Sequence, residues 1–153
     1  MSHSSLQAAR LDFWTGFAAW LRKNSDIRPP KPCQHGFQRF SIGRSGFYIG
    51  ALITRASRLN RSNSGPGVQI ELVMDSAEAK THLKRISALR PELEKKLGFD
   101  LREHNNPTAV SAKLWVRWEI DIYDEKNWPA CFEWLGRHLQ RFKEVFGPIA
   151  LSL

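Results

Sequence analysis

Apolar residues recur at helical spacing through residues 4–24. Leu6, Leu11, Trp14, Phe17, Trp20 and Leu21 form one stripe, and Arg10, Arg22 and Lys23 fall outside it. Three prolines within Pro29–Pro32 forbid the helix from continuing and impose an extended linker over 25–36, which carries Arg28 and Lys31. The pattern then shortens to a period of two. Residues 37–42 alternate, with Phe40 and Ile42 on one face and Arg39 and Ser41 on the other. After a Gly43-Arg-Ser-Gly46 turn, 47–54 is apolar on both faces, as expected of a strand inside a sheet. Residues 68–74 alternate again, with Val68, Ile70, Leu72 and Met74 inward. Between these two strands, 55–67 is a loop of small polar residues, glycine, proline and arginine.

Asp75 followed by Glu78 has the spacing of a capping box and predicts a helix beginning there, with Ala79, Leu83, Ile86, Leu93 and Leu97 inward. Pro91 must kink or divide that helix, and Gly98 stops it. A short strand near 99–103 and a longer one over 113–122 follow. In the longer strand Trp115, Arg117, Glu119 and Asp121 share the face away from the core. The last helix is capped by Asn127, buries Trp128, Phe132, Leu135, Leu139, Phe142 and Phe146, and is expected to end at Gly147-Pro148. The order α-β-β-β-α-β-β-α predicts one α+β domain over 1–153. Its sheet is mainly antiparallel and five-stranded, with helices layered on one face.

Charge adds a direction to this fold. The chain carries a net +8, and all of the excess lies before Val68, where ten basic residues face two acids. Eight of those ten are arginine, whose forked, planar donors suit phosphate. Two cysteines, Cys33 and Cys131, make no disulfide framework, and the N-terminal stretch has no apolar signal core. The expectation is a cytoplasmic protein with no membrane association.

No catalytic constellation emerges, and no cofactor is expected. Glu78-Ala-Lys80 and Glu94-Lys-Lys96 lie on predicted helices, so they do not form the strand-borne acid and lysine pattern of a restriction-type nuclease. Cys33 and His35 have no second pair at zinc spacing. The one arrangement with metal chemistry is Glu71 with Glu119 and Asp121, which requires the three carboxylates to meet on one sheet face.

Phe13-Trp-Thr-Gly-Phe17, Ile42-Gly-Arg-Ser-Gly-Phe47 and Asn127-Trp-Pro-Ala-Cys-Phe-Glu-Trp-Leu135, with the Phe142–Pro148 ending, resemble the bacterial family catalogued as domain of unknown function 4268. Members of that family often lie C-terminal to nuclease-like domains, so the resemblance implies an accessory role near nucleic acid. The loop after Thr54 is longer and more basic than the tight connection usual in the family, which suggests an added binding element.

The expected function is therefore non-catalytic binding of DNA or RNA with low sequence specificity. The candidate phosphate contacts are Arg44, Arg55, Arg58 and Arg61, assisted by Arg28, Lys31 and Arg39. The alternative is a protein-interaction module that docks on a separately encoded nuclease or self-associates.

Overall fold

Helix α1 (His3–Asn24) buries Phe13, Trp14, Phe17, Ala18 and Leu21 along one side. The structure is a computed structural model that describes residues 3–55, 65–104, 106 and 108–153. Trp14 also fixes where the chain goes next, because its indole N–H donates to the carbonyl of His35 at 2.8 Å. The proline linker thus returns over α1 before the sheet begins.

Strands β1 (Phe37–Ser41), β2 (Phe47–Thr54), β3 (Gly67–Met74), β4 (Arg102–His104) and β5 (Ala112–Glu119) form one antiparallel sheet in the order β1-β2-β3-β5-β4. Register follows from the hydrophobic pattern, since a slip of one residue would turn every core side chain outward. Phe40 pairs with Ile49, Ile49 with Leu72, and Leu72 with Leu114, all four on the core face. All of the helices cover this one face. Helix α4 (Trp128–Ser152) packs on β2 and β3, and α2 (Ala79–Ala88) packs on β3 and β5.

Two glycines let α1 and α4 approach closely. A Cβ on Gly16 would sit 2.7 Å from the Phe132 ring, and one on Gly136 would overlap the Trp20 ring. The pairings Gly16 to Phe132 and Trp20 to Gly136 ascend together, so the two helices run in the same direction. Phe13 adds edge contacts to Trp128 and Phe132, with centroids at 5.4 and 5.0 Å.

Several boundaries differ from the sequence pattern. The capping box does not form. The Asp75 N–H is taken by the carbonyl of Gly46 at 3.1 Å, and α2 starts only at Ala79, after Glu78, whose side chain caps nothing. Pro91 does divide the helix, and α3 (Arg90–Leu97) begins one residue before it. The short strand lies at 102–104 rather than 99–103, because Leu101 is drawn into the core. Strand β5 stops at Glu119, although Ile120 still donates to the carbonyl of Pro66.

Helix α4 does not end at Gly147-Pro148 but passes through Pro148 to Ser152. Proline deprives the Glu144 carbonyl of its helical donor, but Glu144 and Pro148 both face solvent, so that carbonyl is not buried without a partner. Phe146 and Ala150 on either side hold the inward face against the core.

Candidate nucleic-acid interface

The sheet face opposite the helices is bare of any described helix. Pairing places its side chains in rows across the strands. One row runs Ser41, Tyr48, Val73, Lys113 and His104; the next runs Arg39, Gly50, Glu71, Trp115 and Arg102; a third runs Phe37, Leu52, Gln69 and Arg117. Long polar side chains cover much of the centre. The guanidinium of Arg102 lies 5.5 Å from the Trp115 ring, and Trp115 is 4% exposed. Trp115 therefore sits on the face away from the core, as the alternation predicts, under an arginine.

Glu71 leans over Gly50, where a Cβ would meet its Cγ at 3.1 Å. Its carboxylate pairs with Lys113 at 3.5 Å and accepts a hydrogen bond from Gln69 Nε2 at 3.1 Å. Burial raises the neighbouring Tyr48 phenol above its ordinary value. Arg39 offsets part of that rise, and the Glu71 and Asp75 carboxylates add to it. The phenol stays neutral and able to donate.

At the β1 edge the aromatic groups form a ladder. The His35 imidazole stacks on Phe37 with centroids 6.0 Å apart, and Arg39 lies 5.9 Å from the Phe37 ring and 4.5 Å from the Tyr48 ring. Phe37 is 46% exposed. Just beyond Arg39 a groove is lined by Arg28, Pro29, Pro30, Arg39, Ser41 and Lys143. The linker is held along this edge by Gln38, whose Nε2 donates to the carbonyl of Lys31 at 3.2 Å.

The candidate residues therefore separate into groups. Arg28 and Arg39 come together, Lys31 lies exposed on the same linker, and Lys143 of α4 joins them. Arg55 is exposed past the end of β2, where it lines a small apolar pocket with Arg10, Phe13, Ile53, Tyr123 and Trp128. Arg58 and Arg61 lie outside the described residues. Arg44 is engaged within the protein. Its Nη1 donates to the carbonyls of Ala150 and Leu153, where the uncapped end of α4 favours a cation. Gly43 and Gly46, with φ of +93° and +85°, supply the turn that aims it there.

Sequence reasoning missed Lys143 and Arg102. Both are ordinary surface charges until long-range pairing places them, and no local signal marks either.

The remaining chemistry is accounted for by structural contacts. Arg117 donates to Thr54 Oγ1 at 2.9 Å and to the carbonyl of Gly65, while Glu119 accepts from the Gly65 N–H. The pair ties down Gly65 at the point where the chain enters β3. Burial lowers the Arg117 pKa, Glu119 opposes that shift and Arg102 adds to it, yet the group remains a cation at any physiological pH. Glu119 lies four residues along β5 from Trp115, the partner of Glu71, so the two acids stand about 13 Å apart. Asp121 lies beyond the strand and accepts from the Tyr123 N–H. The three carboxylates do not converge, and no cluster of metal ligands is found among the described residues.

Burial pushes the Cys131 thiol up to about 11, which leaves it inert. Among the described residues no helix is long and apolar enough to cross a membrane.

These features define a class of protein: a one-sided α+β domain whose bare sheet face and strand edge carry arginines interleaved with aromatic rings. The chain belongs to the family described as Domain of unknown function (DUF4268), whose model matches residues 9–150. No curated protein and no solved structure matches the chain.

Proposed function

We propose that the protein is a nucleic-acid-binding module that performs no chemistry of its own and grips the phosphate backbone at the β1 edge. The observation that carries this reading is the convergence of Arg28, Arg39 and Lys143 on one groove from the linker, a strand and a helix. None of the three is ion-paired to a carboxylate among the described residues. Three cations held together without counter-charges repel one another, and a polyanion relieves that repulsion while releasing its own condensed counterions.

Lys31 extends the cationic edge, and Arg55, Arg58 and Arg61 add contacts from the basic loop. Arg44 serves the fold and takes the least part. Contacts of this kind read phosphate rather than bases, so sequence preference is weak.

The test is fluorescence anisotropy with labelled DNA and RNA oligonucleotides at low and moderate salt. Binding should weaken steeply with salt and fall at least tenfold in Arg28→Ala/Arg39→Ala/Lys143→Ala. Salt-independent binding, or a triple variant that binds like wild type, contradicts the proposal. A second reading is favoured by the stacked, half-buried Trp118 and Trp134 rings, with centroids 6.2 Å apart. An apolar patch of this kind suits docking on a separately encoded nuclease or on a second copy of the chain, and a pull-down tests it.

A further inference from the structure

We infer that the nucleic acid is single-stranded and that its bases stack on the β1 edge of the bare sheet face, over Phe37 and Tyr48. The inference rests on the nucleic-acid reading above and specifies the partner of the same surface.

The phosphate groove and the aromatic ladder share a residue. Arg39 lines the groove, and its guanidinium also lies against both the Phe37 and Tyr48 rings. A strand whose phosphates occupy the groove has its bases within reach of those rings. Phe37 pairs with Leu52, and Tyr48 with Ser41, so the two residues stand at opposite ends of β1's outward row, and Arg39 between them lies against both rings. His35 extends the ladder past Phe37.

A duplex gains little from such a surface, because its bases are already stacked and paired while its phosphates face outward. An unpaired base has a free π-face for an aromatic ring or a guanidinium plane. The exposure of Phe37 has no explanation in the fold, since burying a phenylalanine is ordinarily favourable.

Two further observations point to a ligand on this face. The Trp115 indole N–H is buried and has no hydrogen-bond partner among the described residues. A buried donor without an acceptor is costly, and a base or sugar oxygen laid across the sheet supplies one once Arg102 moves aside. Charge complementarity agrees. Of the acids on the face, Glu71 is paired with Lys113 and Glu119 holds Gly65, which leaves the positive ends of Arg39 and Arg102 outward.

The experiment measures binding of one sequence as single-stranded DNA, single-stranded RNA and duplex DNA at a single salt concentration. The proteins are wild type, Phe37→Ala, Phe37→Trp and Tyr48→Leu, each checked by thermal melting. Wild type should prefer single strands by at least tenfold. Phe37→Ala should lose roughly tenfold for single strands, within the range that base stacking supplies, and leave duplex binding unchanged. Phe37→Trp should retain single-strand affinity. Equal or tighter duplex binding overturns the inference and leaves the proposed function standing, as does a loss of the same size on both ligands. Failure to bind any of the three overturns the proposed function and this inference with it. Because Phe37 is exposed, its variants remain interpretable even if Tyr48→Leu disturbs the sheet.

Discussion

Arg44 Nη1 donates to the carbonyl of Ala150 at 2.7 Å, joining the β1–β2 turn to the end of the last helix across 106 residues of sequence. The bond explains how α4 ends well after its proline, because the guanidinium satisfies carbonyls that no further helical turn can reach.

Arg44→Leu should therefore lower stability by about 2 kcal/mol, the order expected for charge-assisted hydrogen bonds to a helix end. Its affinity for nucleic acid should stay within about twofold of wild type. Urea unfolding and anisotropy, run on the same preparations, separate the two effects. An unchanged midpoint with a large loss of affinity would return Arg44 to the binding surface.

The contact of Trp20 with Gly136 makes a sharper packing prediction. A methyl group at position 136 has no room beneath the indole, and neither helix can retreat without opening the core. Gly136→Ala should cost about 1–3 kcal/mol, the usual penalty for overpacking. Trp20→Ala in the same chain should recover part of that loss, a coupling that a double-mutant cycle measures directly.

Acid should destabilise the protein through His138. Its ring stacks on Trp134 at 3.9 Å and lies 4.8 Å from Phe99; burial lowers its pKa, the hydrogen bond with the Trp134 carbonyl opposes this, and Arg141 reinforces it. Above about pH 6.5 the imidazole is neutral in both the folded and unfolded states. As pH falls below that value the unfolded chain takes up the proton first, so stability drops toward the lower folded pKa. Comparing Tm at about pH 8 and about pH 5.5, His138→Gln should lose less than wild type. An equal loss in both proteins would remove His138 from the account.

How much of this was legible in the sequence depended on the range of the interactions involved. Alternation located β1, β3 and β5 because each buries one face against helices. The two-sided apolar run at 47–54 announced a strand with neighbours on both sides. Local rules failed where a distant partner decided the outcome. The Gly46 carbonyl claimed the Asp75 N–H, and Arg44 supported a helix that proline was expected to end. The pattern correctly placed Trp115 and the candidate Arg39 on the outward face. It could not bring Arg28 to Lys143, which are separated by most of the chain and meet only because α4 returns to the β1 edge.

The most direct test of the central claim is the salt dependence of oligonucleotide binding. The logarithm of the association constant is plotted against the logarithm of salt concentration for wild type and for Arg28→Ala/Arg39→Ala/Lys143→Ala. If the three cations contact phosphates, the slope should become shallower by about 2 for a single strand, because each lost contact removes about 0.7 of a released counterion. Parallel lines of equal height would contradict the assignment of the β1-edge groove as the phosphate-binding surface.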